Sequence, residues 1–446
     1  MKTPVCDFVE NYIESGKLRL HMPGHKGENF IGCEKYDITE VSGADSLFEA
    51  NGIIRESELN AGSLFGCHTF YSTEGSSLCI RAMLYLILMY AKEKGINPLI
   101  LAGRNAHKAF LSGVALLDFE VEWIYSKEGS SYLTCLFTAK ELEEKLSMMK
   151  EKPAAVYITS PDYSGNMADL KGISEVCRKH NILLAVDNAH GAYLKFLTKS
   201  CHPVDFGADI CCDSAHKTLP VLTGGAYLHI SESAPKFFRE QAKGALELFG
   251  STSPSYLILQ SLDKANAYLS KEYPKKLADF VKETELLKLK IAEKGYKLLG
   301  NEPLKITLDA KAYGYTGTAL ASELRKRNVE CEFCDCDFVV LMLTPENGKN
   351  ALDSINNALA DVTKQKALPP KALSAEKGKR VMSIRQAYLS PKEYLPVEKA
   401  QGRILASASI SCPPAVPIAV CGELIDEKSI ENFRYYGITG CWVVKE

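Results

Sequence analysis

The stretch Ile182-Leu183-Leu184-Ala185-Val186-Asp187-Asn188-Ala189-His190 decides the fold. Its apolar run shows no polar alternation, as expected of a strand buried on both faces, and it ends abruptly on a carboxylate. A helical stretch from Leu170 to His180 leads into it. Pro98-Leu99-Ile100-Leu101-Ala102 and Ala154-Ala155-Val156-Tyr157-Ile158-Thr159 read as earlier strands of the same kind. Ala208-Asp209-Ile210-Cys211-Cys212 and Gly225-Ala226-Tyr227-Leu228-His229-Ile230 extend the series. Buried strands alternating with amphipathic helices from about Leu64 to Ile230 predict βαβ crossovers on a mostly parallel sheet.

On either side of this core the pattern changes. The first thirty residues read as a polar, partly helical arm ending in His21-Met22-Pro23-Gly24-His25-Lys26-Gly27. After Ser251-Thr252-Ser253-Pro254-Ser255, helical spacing of Leu, Lys and Glu from Tyr256 to about Lys294 predicts one long helical region bridging two domains. A smaller α/β unit follows, with strands near Leu304 to Leu308 and Phe338 to Leu343 and a helix from Lys349 to about Lys364. Lys366 to Lys379, with Pro369-Pro370 inside it, reads as a linker. Helical segments and a proline-rich turn, Cys412 to Pro417, complete the chain.

The 446 residues carry 53 basic and 55 acidic side chains, a formal charge of −2. No global field draws a polyanion, and no local basic patch predicts nucleic-acid binding. The longest strongly apolar stretch, Ala82 to Ala91, is about half the ~20 residues of a membrane span. The beginning of the chain lacks the basic-then-apolar order of a signal peptide. The 15 cysteines are an odd number scattered through apolar segments, which predicts free thiols in a reducing compartment. Cys331, Cys334 and Cys336 are the tight cluster, without a second pair of ligands at comparable spacing, so no metal is expected. A soluble, cytoplasmic protein with no membrane partner is the expectation.

Chemistry collects at the predicted strand ends, where ligand sites of open α/β sheets lie. Ser214-Ala215-His216-Lys217-Thr218 follows the strand ending at Cys212, which makes Lys217 a candidate Schiff-base former. Asp187, at its strand tip, is suited to hold the protonated ring nitrogen of pyridoxal phosphate, the condition under which that ring accepts an electron pair. Tyr71-Ser72-Thr73-Glu74-Gly75-Ser76-Ser77 opens the apolar helix from Leu78 to about Lys94, with Gly95 placed to stop it. Gly75 lets the backbone approach an anion, and Ser76, Ser77 and the free first-turn N–H groups suit a phosphate dianion. Ser214 and His216 are positioned in sequence to complete that cup. His107, in Arg104-Asn105-Ala106-His107-Lys108, is suited to stack on a pyridine ring. Each feature alone has a plainer explanation, an N-cap or a hydrogen-bonded structural histidine. In this order they make the layout of an aspartate-aminotransferase-like, fold-type I, pyridoxal-phosphate enzyme.

The motifs His21 to Gly27, Asp37 to Glu40, Arg104 to Lys108, Asp187 to Gly191 and Asp213 to Pro220 resemble those of the bacterial ornithine/lysine/arginine decarboxylases. Gly402-Arg403-Ile404, Pro413-Pro414-Ala415-Val416-Pro417 and Gly422-Glu423 are similar to that family's C-terminal domain, so the resemblance spans nearly the whole chain. It resembles the short form, without an N-terminal wing. The resemblance implies Lys217 as the Schiff-base lysine, Asp187 on the pyridine nitrogen, and His107 stacked on the ring. It further implies Gly75, Ser76, Ser77, Ser214 and His216 on the phosphate, and His190 beside the cofactor. The sequence departs from the pattern at Glu74, before the phosphate-binding glycine, at Phe48 in Asp45-Ser46-Leu47-Phe48, and at Thr223-Gly224-Gly225 after the lysine.

The expected architecture is an arm (1–30), a cofactor-binding large domain (31–250), a linking helix with a small α/β domain (251–365), and a linker with a C-terminal α+β domain (366–446). The implied reaction is decarboxylation of a basic amino acid, arginine first, then lysine and ornithine, feeding polyamine synthesis. Lys217 or His216 would return a proton to Cα, and Glu423 is a candidate acceptor for the substrate's distal cation. Another fold-type I activity, an aminotransferase or lyase, would need a carboxylate-binding arginine such as Arg325, Arg327 or Arg385. A cofactor-binding scaffold without turnover is the remaining alternative. Fold-type I sites are usually shared across a homodimer, so at least a homodimer is expected, with the arm reaching a partner, closing over the site or packing within its own domain.

Overall fold

The computed structural model describes residues 1–125, 132–370, 378–412 and 416–446. Part of the predicted linker and the centre of the proline-rich turn, Pro413-Pro414-Ala415, lie outside the described residues. Seven strands belong to one sheet: β1 (His68–Ser72), β2 (Leu99–Gly103), β3 (Glu120–Ile124), β4 (Ala155–Thr159), β5 (Leu183–Asp187), β6 (Ile210–Asp213) and β7 (Ala226–Ile230). The chain forms two compact units, Met1–Ile96 with Cys177–Leu277, and Asn97–Val176 with Ala278–Glu446.

In the first unit the strand order is β1-β7-β6-β5. β5 and β6 run parallel, with Asp187 opposite Cys212, while β7 pairs antiparallel with both β6 and β1. β5, β6 and β7 are buried at every position, which explains their unalternating apolar sequence. The helix Gly75–Lys94 follows β1 and ends on Gly95 in the left-handed conformation, as its sequence predicts. The helix Pro4–Glu14 buries Val5, Cys6 and Val9, and its first-turn N–H groups at Val5 and Cys6 both donate to Asp263 Oδ2 at 3.0 Å. That carboxylate satisfies the unpaired donors of a helix start and favours its dipole.

The predicted helix from Tyr256 to Lys294 is two helices, Tyr256–Leu269 and Tyr273–Glu293. Pro274 is the physical reason. It lacks an N–H and clashes with the preceding turn, but it fits the start of a new helix.

In the second unit β4, β2 and β3 lie in that order, all parallel. A separate antiparallel sheet follows the order Phe333–Cys334, Phe338–Met342, Lys305–Asp309, Lys297–Leu299. The C-terminal part pairs Lys392–Pro396 with Gly440–Val444 over a core that includes Val397, Leu405, Ile425, Ile430, Phe433 and Val443. Among the described residues no helix is long and apolar enough to cross a membrane, and no disulfide joins the cysteines whose side chains are described.

Candidate active site

The tip of β6 and the turn after it place the principal lysine. The short helix Ala215–Thr218 begins on Ser214, directly after Asp213, and presents Lys217 with Nζ 3.0 Å from His190 Nε2. His190 is buried just beyond the tip of β5. Asp187, the last residue of β5, is also buried, and its Oδ1 accepts the Ala189 N–H at 3.2 Å and faces Cys212 Sγ at 3.8 Å. Because β5 and β6 are parallel neighbours, the carboxylate and the lysine-bearing turn emerge from the same sheet edge.

A polar cup forms at the start of the helix Gly75–Lys94. Gly75 has φ +72°, and its N–H donates to Gly224 O at 2.7 Å. Gly224 makes that approach possible. It has φ +102°, and a Cβ there would lie 2.7 Å from Thr73 O. Thr223-Gly224-Gly225 thus packs directly on the start of the helix Gly75–Lys94. Ser214 Oγ donates to Ser76 Oγ at 2.7 Å, joining the turn before Lys217 to this helix start. Ser76 and Ser77 are half-buried in the first turn, where N–H groups lack intrahelical acceptors.

His216 Nδ1–H donates to Gly225 O at 2.9 Å. Burial holds this imidazole below its ordinary value, with the Lys217 charge acting in the same direction, so at neutral pH its Nε2 offers a lone pair. In the second unit, His107 caps the helix Lys108–Leu117, its Nδ1 accepting the Ala109 N–H at 3.2 Å and leaving the proton on Nε2.

The departures from the family pattern have structural explanations. Glu74 turns to Ser251, whose N–H donates to Oε1 at 2.6 Å, so its charge is spent on that loop. Phe48 is buried against the backbone at Gly250.

Glu423, the candidate distal acceptor, is buried and ion-paired: Arg104 Nη2 reaches its two oxygens at 2.9 and 3.2 Å, and the Val420 N–H donates to Oε2 at 2.8 Å. Arg325 pairs with Glu330, Arg327 with Glu323, and Arg385 donates to Ala115 O and Leu116 O.

Sequence reasoning assigned no role to a cluster beneath this edge. Asp213, His202 and His229 are wholly buried, with both imidazole Nε2 atoms on Asp213 Oδ2 at 3.0 and 3.2 Å. Burial alone would raise the Asp213 carboxyl, but the two imidazoles hold it well below the usual range. Burial would likewise lower His229, yet Cys67 and Asp213 beside it hold it above its ordinary value. His202, Cys211 and Asp213 are the metal-type group among the described residues, with ligand atoms within 4.8 Å of one another. A histidine inside a buried strand, His229 in β7, was the available sequence signal.

These groups fit pyridoxal phosphate by donor chemistry: a left-handed glycine and half-buried hydroxyls for a phosphate, a buried carboxylate for a protonated ring nitrogen, and an amine for the aldehyde. The family model for the Orn/Lys/Arg decarboxylase major domain matches residues 3–301. The chain belongs to the Orn/Lys/Arg decarboxylase family. It is thus a pyridoxal-phosphate-dependent decarboxylase of the basic amino-acid class. Its relatives include the uncharacterized protein YaaO of Bacillus subtilis, 30% identical over 97% of this chain and 94% of that one. An arginine decarboxylase of B. subtilis is 28% identical over 96% of this chain and 92% of its own. The structure of the E. coli constitutive lysine decarboxylase shares the fold, with TM-score 0.77 and 17% identity over 100% of this chain and 82% of that one. The fold-type I expectation for this decarboxylase holds.

Proposed function

We propose that this family member decarboxylates arginine to its amine, with Lys217, Asp187 and the Gly75–Ser77 cup as its working residues and the product entering polyamine synthesis. The observation that carries the site is the convergence of Lys217, His190 and Asp187 on one sheet edge, beside a phosphate-type helix start. The choice of arginine rests on relatives named arginine decarboxylase in B. subtilis and B. anthracis, 28% and 27% identical.

Bound, pyridoxal phosphate supplies a sink for the electron pair left at Cα when CO2 departs. The chain's own groups set up that chemistry. Asp187 holds the proton on the ring nitrogen, and its burial makes the pairing stronger than it would be in water. Ser76, Ser77, Ser214 and the N–H groups of the first turn bind the phosphate, with His216 at its border. Lys217 would hold the cofactor's aldehyde group and could carry at Nζ the proton that Cα needs; His190 Nε2, 3.0 Å from that Nζ, would orient it. His107 is assigned to the ring face. We further assign a cytoplasmic setting, a homodimer, and the four-part division at residues 30, 250 and 365.

Holoenzyme assayed for CO2 release from arginine, lysine and ornithine is expected to give its highest kcat/KM with arginine. In Lys217→Ala the visible absorbance of the linked cofactor near ~420 nm and turnover should both be lost. A keto acid product in place of CO2 and amine would refute decarboxylation, and a preference for lysine would refute arginine.

A further inference from the structure

Asp213 sits one residue before Ser214 and four before Lys217, with no exposure to solvent. Its two oxygens have divided duties. Oδ2 accepts from His202 Nε2 at 3.0 Å and from His229 Nε2 at 3.2 Å. The His202 tautomer is fixed by geometry, because its Nδ1 accepts the Val204 N–H and the ring proton must sit on Nε2. His229 Nδ1 lies 2.9 Å from Thr69 Oγ1 and 3.6 Å from Cys67 Sγ, so both of its ring nitrogens are engaged. Oδ1 accepts from Asn188 Nδ2 at 2.6 Å. Three donors on one buried carboxylate make a charge-assisted network, stronger than neutral hydrogen bonds and costly to break.

Asn188 is the residue after Asp187. Its backbone N–H also donates to Cys212 O at 3.0 Å, so it is tied to β6 through backbone and side chain together. Gly191 leaves room for it: a Cβ there would fall 2.0 Å from Asn188 Oδ1. The bond from Asn188 to Asp213 thus joins the tip bearing the ring-nitrogen carboxylate to the strand that delivers the lysine.

We infer that Asp213 is a positioning residue: anchored by His202 and His229, it clamps Asn188 and thereby sets the orientation of the Asp187 carboxylate against the cofactor's ring nitrogen. The inference rests on the assignment of Asp187 in the proposed function. Asp213 touches neither substrate nor cofactor and acts only through this link.

The test compares wild-type holoenzyme with Asp213→Asn, Asn188→Ala and the double variant. The readouts are the cofactor dissociation constant by equilibrium dialysis, the visible circular dichroism of the bound cofactor, and kcat and KM for the preferred substrate. Each single variant is expected to keep the far-ultraviolet spectrum, raise the cofactor dissociation constant about tenfold, and shrink the visible dichroic band. It should lower kcat about tenfold with KM within about twofold. The double variant should be no worse than the poorer single, since both remove one link. Losses that multiply in the double variant overturn the clamp, as does a wild-type dichroic band in Asn188→Ala. Asn188→Ala leaves the buried charge and its histidines in place, so it decides the matter even if Asp213→Asn fails to fold. Asp187→Asn, run in parallel, separates the two levels: unchanged cofactor affinity there refutes the role of Asp187 itself.

Discussion

Glu74 shows how far one side chain's meaning depends on its partner. A carboxylate beside a phosphate cup is repulsive in sequence terms, but Ser251 N–H holds its Oε1 at 2.6 Å and turns it to another loop. Glu74→Gln retains an oxygen for that bond and is expected to leave cofactor affinity within about twofold, measured by dialysis. A tenfold gain in affinity would show that the charge does act on the phosphate. The proposed site residues Lys217, Asp187 and Ser76 could be nominated from sequence because each carries its chemistry in its own side chain and lies at a predicted strand end or helix start. His202 and His229 were not, because Asp213 meets them across 11 and 16 residues of chain, through packing alone. Arg104 and Glu423 lie 319 residues apart, and no local pattern encodes their meeting.

Among elements, the turn between the helix Ala215–Thr218 and β7 does what its composition hides. Gly224, at φ +102°, accepts the Gly75 N–H and approaches Thr73 O more closely than any side chain permits. Gly224→Ala must both adopt a disfavoured conformation and push the Thr73–Gly75 segment away. Its cofactor dissociation constant is expected to rise about tenfold or more, with a smaller fall in the thermal midpoint of the cofactor-free protein. Unchanged affinity would sever this turn from the phosphate site. The strands and the helix Gly75–Lys94 emerged from periodicity and Gly95 because those signals are local. The division of Tyr256–Leu269 from Tyr273–Glu293 was missed although Pro274 was visible, since helical spacing of Leu and Lys continues on both sides of it.

For the molecule as a whole, buried carboxylates outside the site contribute to the response to pH. Burial raises Asp209 from 3.8 to about 6 in the first unit, and Asp335 from 3.8 to about 6 in the second. A raised carboxyl means the folded state binds the proton more tightly than the unfolded chain. The associated stability is present below pH 3.8 and is lost as pH rises through about 6. Asp209→Asn keeps an acceptor for the Leu184 N–H, which Asp209 Oδ2 binds at 2.8 Å. Between about pH 4 and pH 7 the variant should therefore lose less stability than wild type, by on the order of 1 kcal/mol in urea unfolding. Parallel pH profiles for the two proteins would refute the raised value.

The sequence by itself determined the sheet of buried strands, the strand-end placement of Asp187 and Lys217, the phosphate-type helix start and the family. These follow from side-chain polarity and spacing, which act over a few residues and need no partner to be read. Only the tertiary structure decided the orientation of Glu74, the engagement of Glu423 by Arg104, and the anchoring of Asp213 by His202 and His229. Each of these is a buried or loop-borne polar group whose cost is met by a donor distant in sequence, and the packing of the chain chooses that donor.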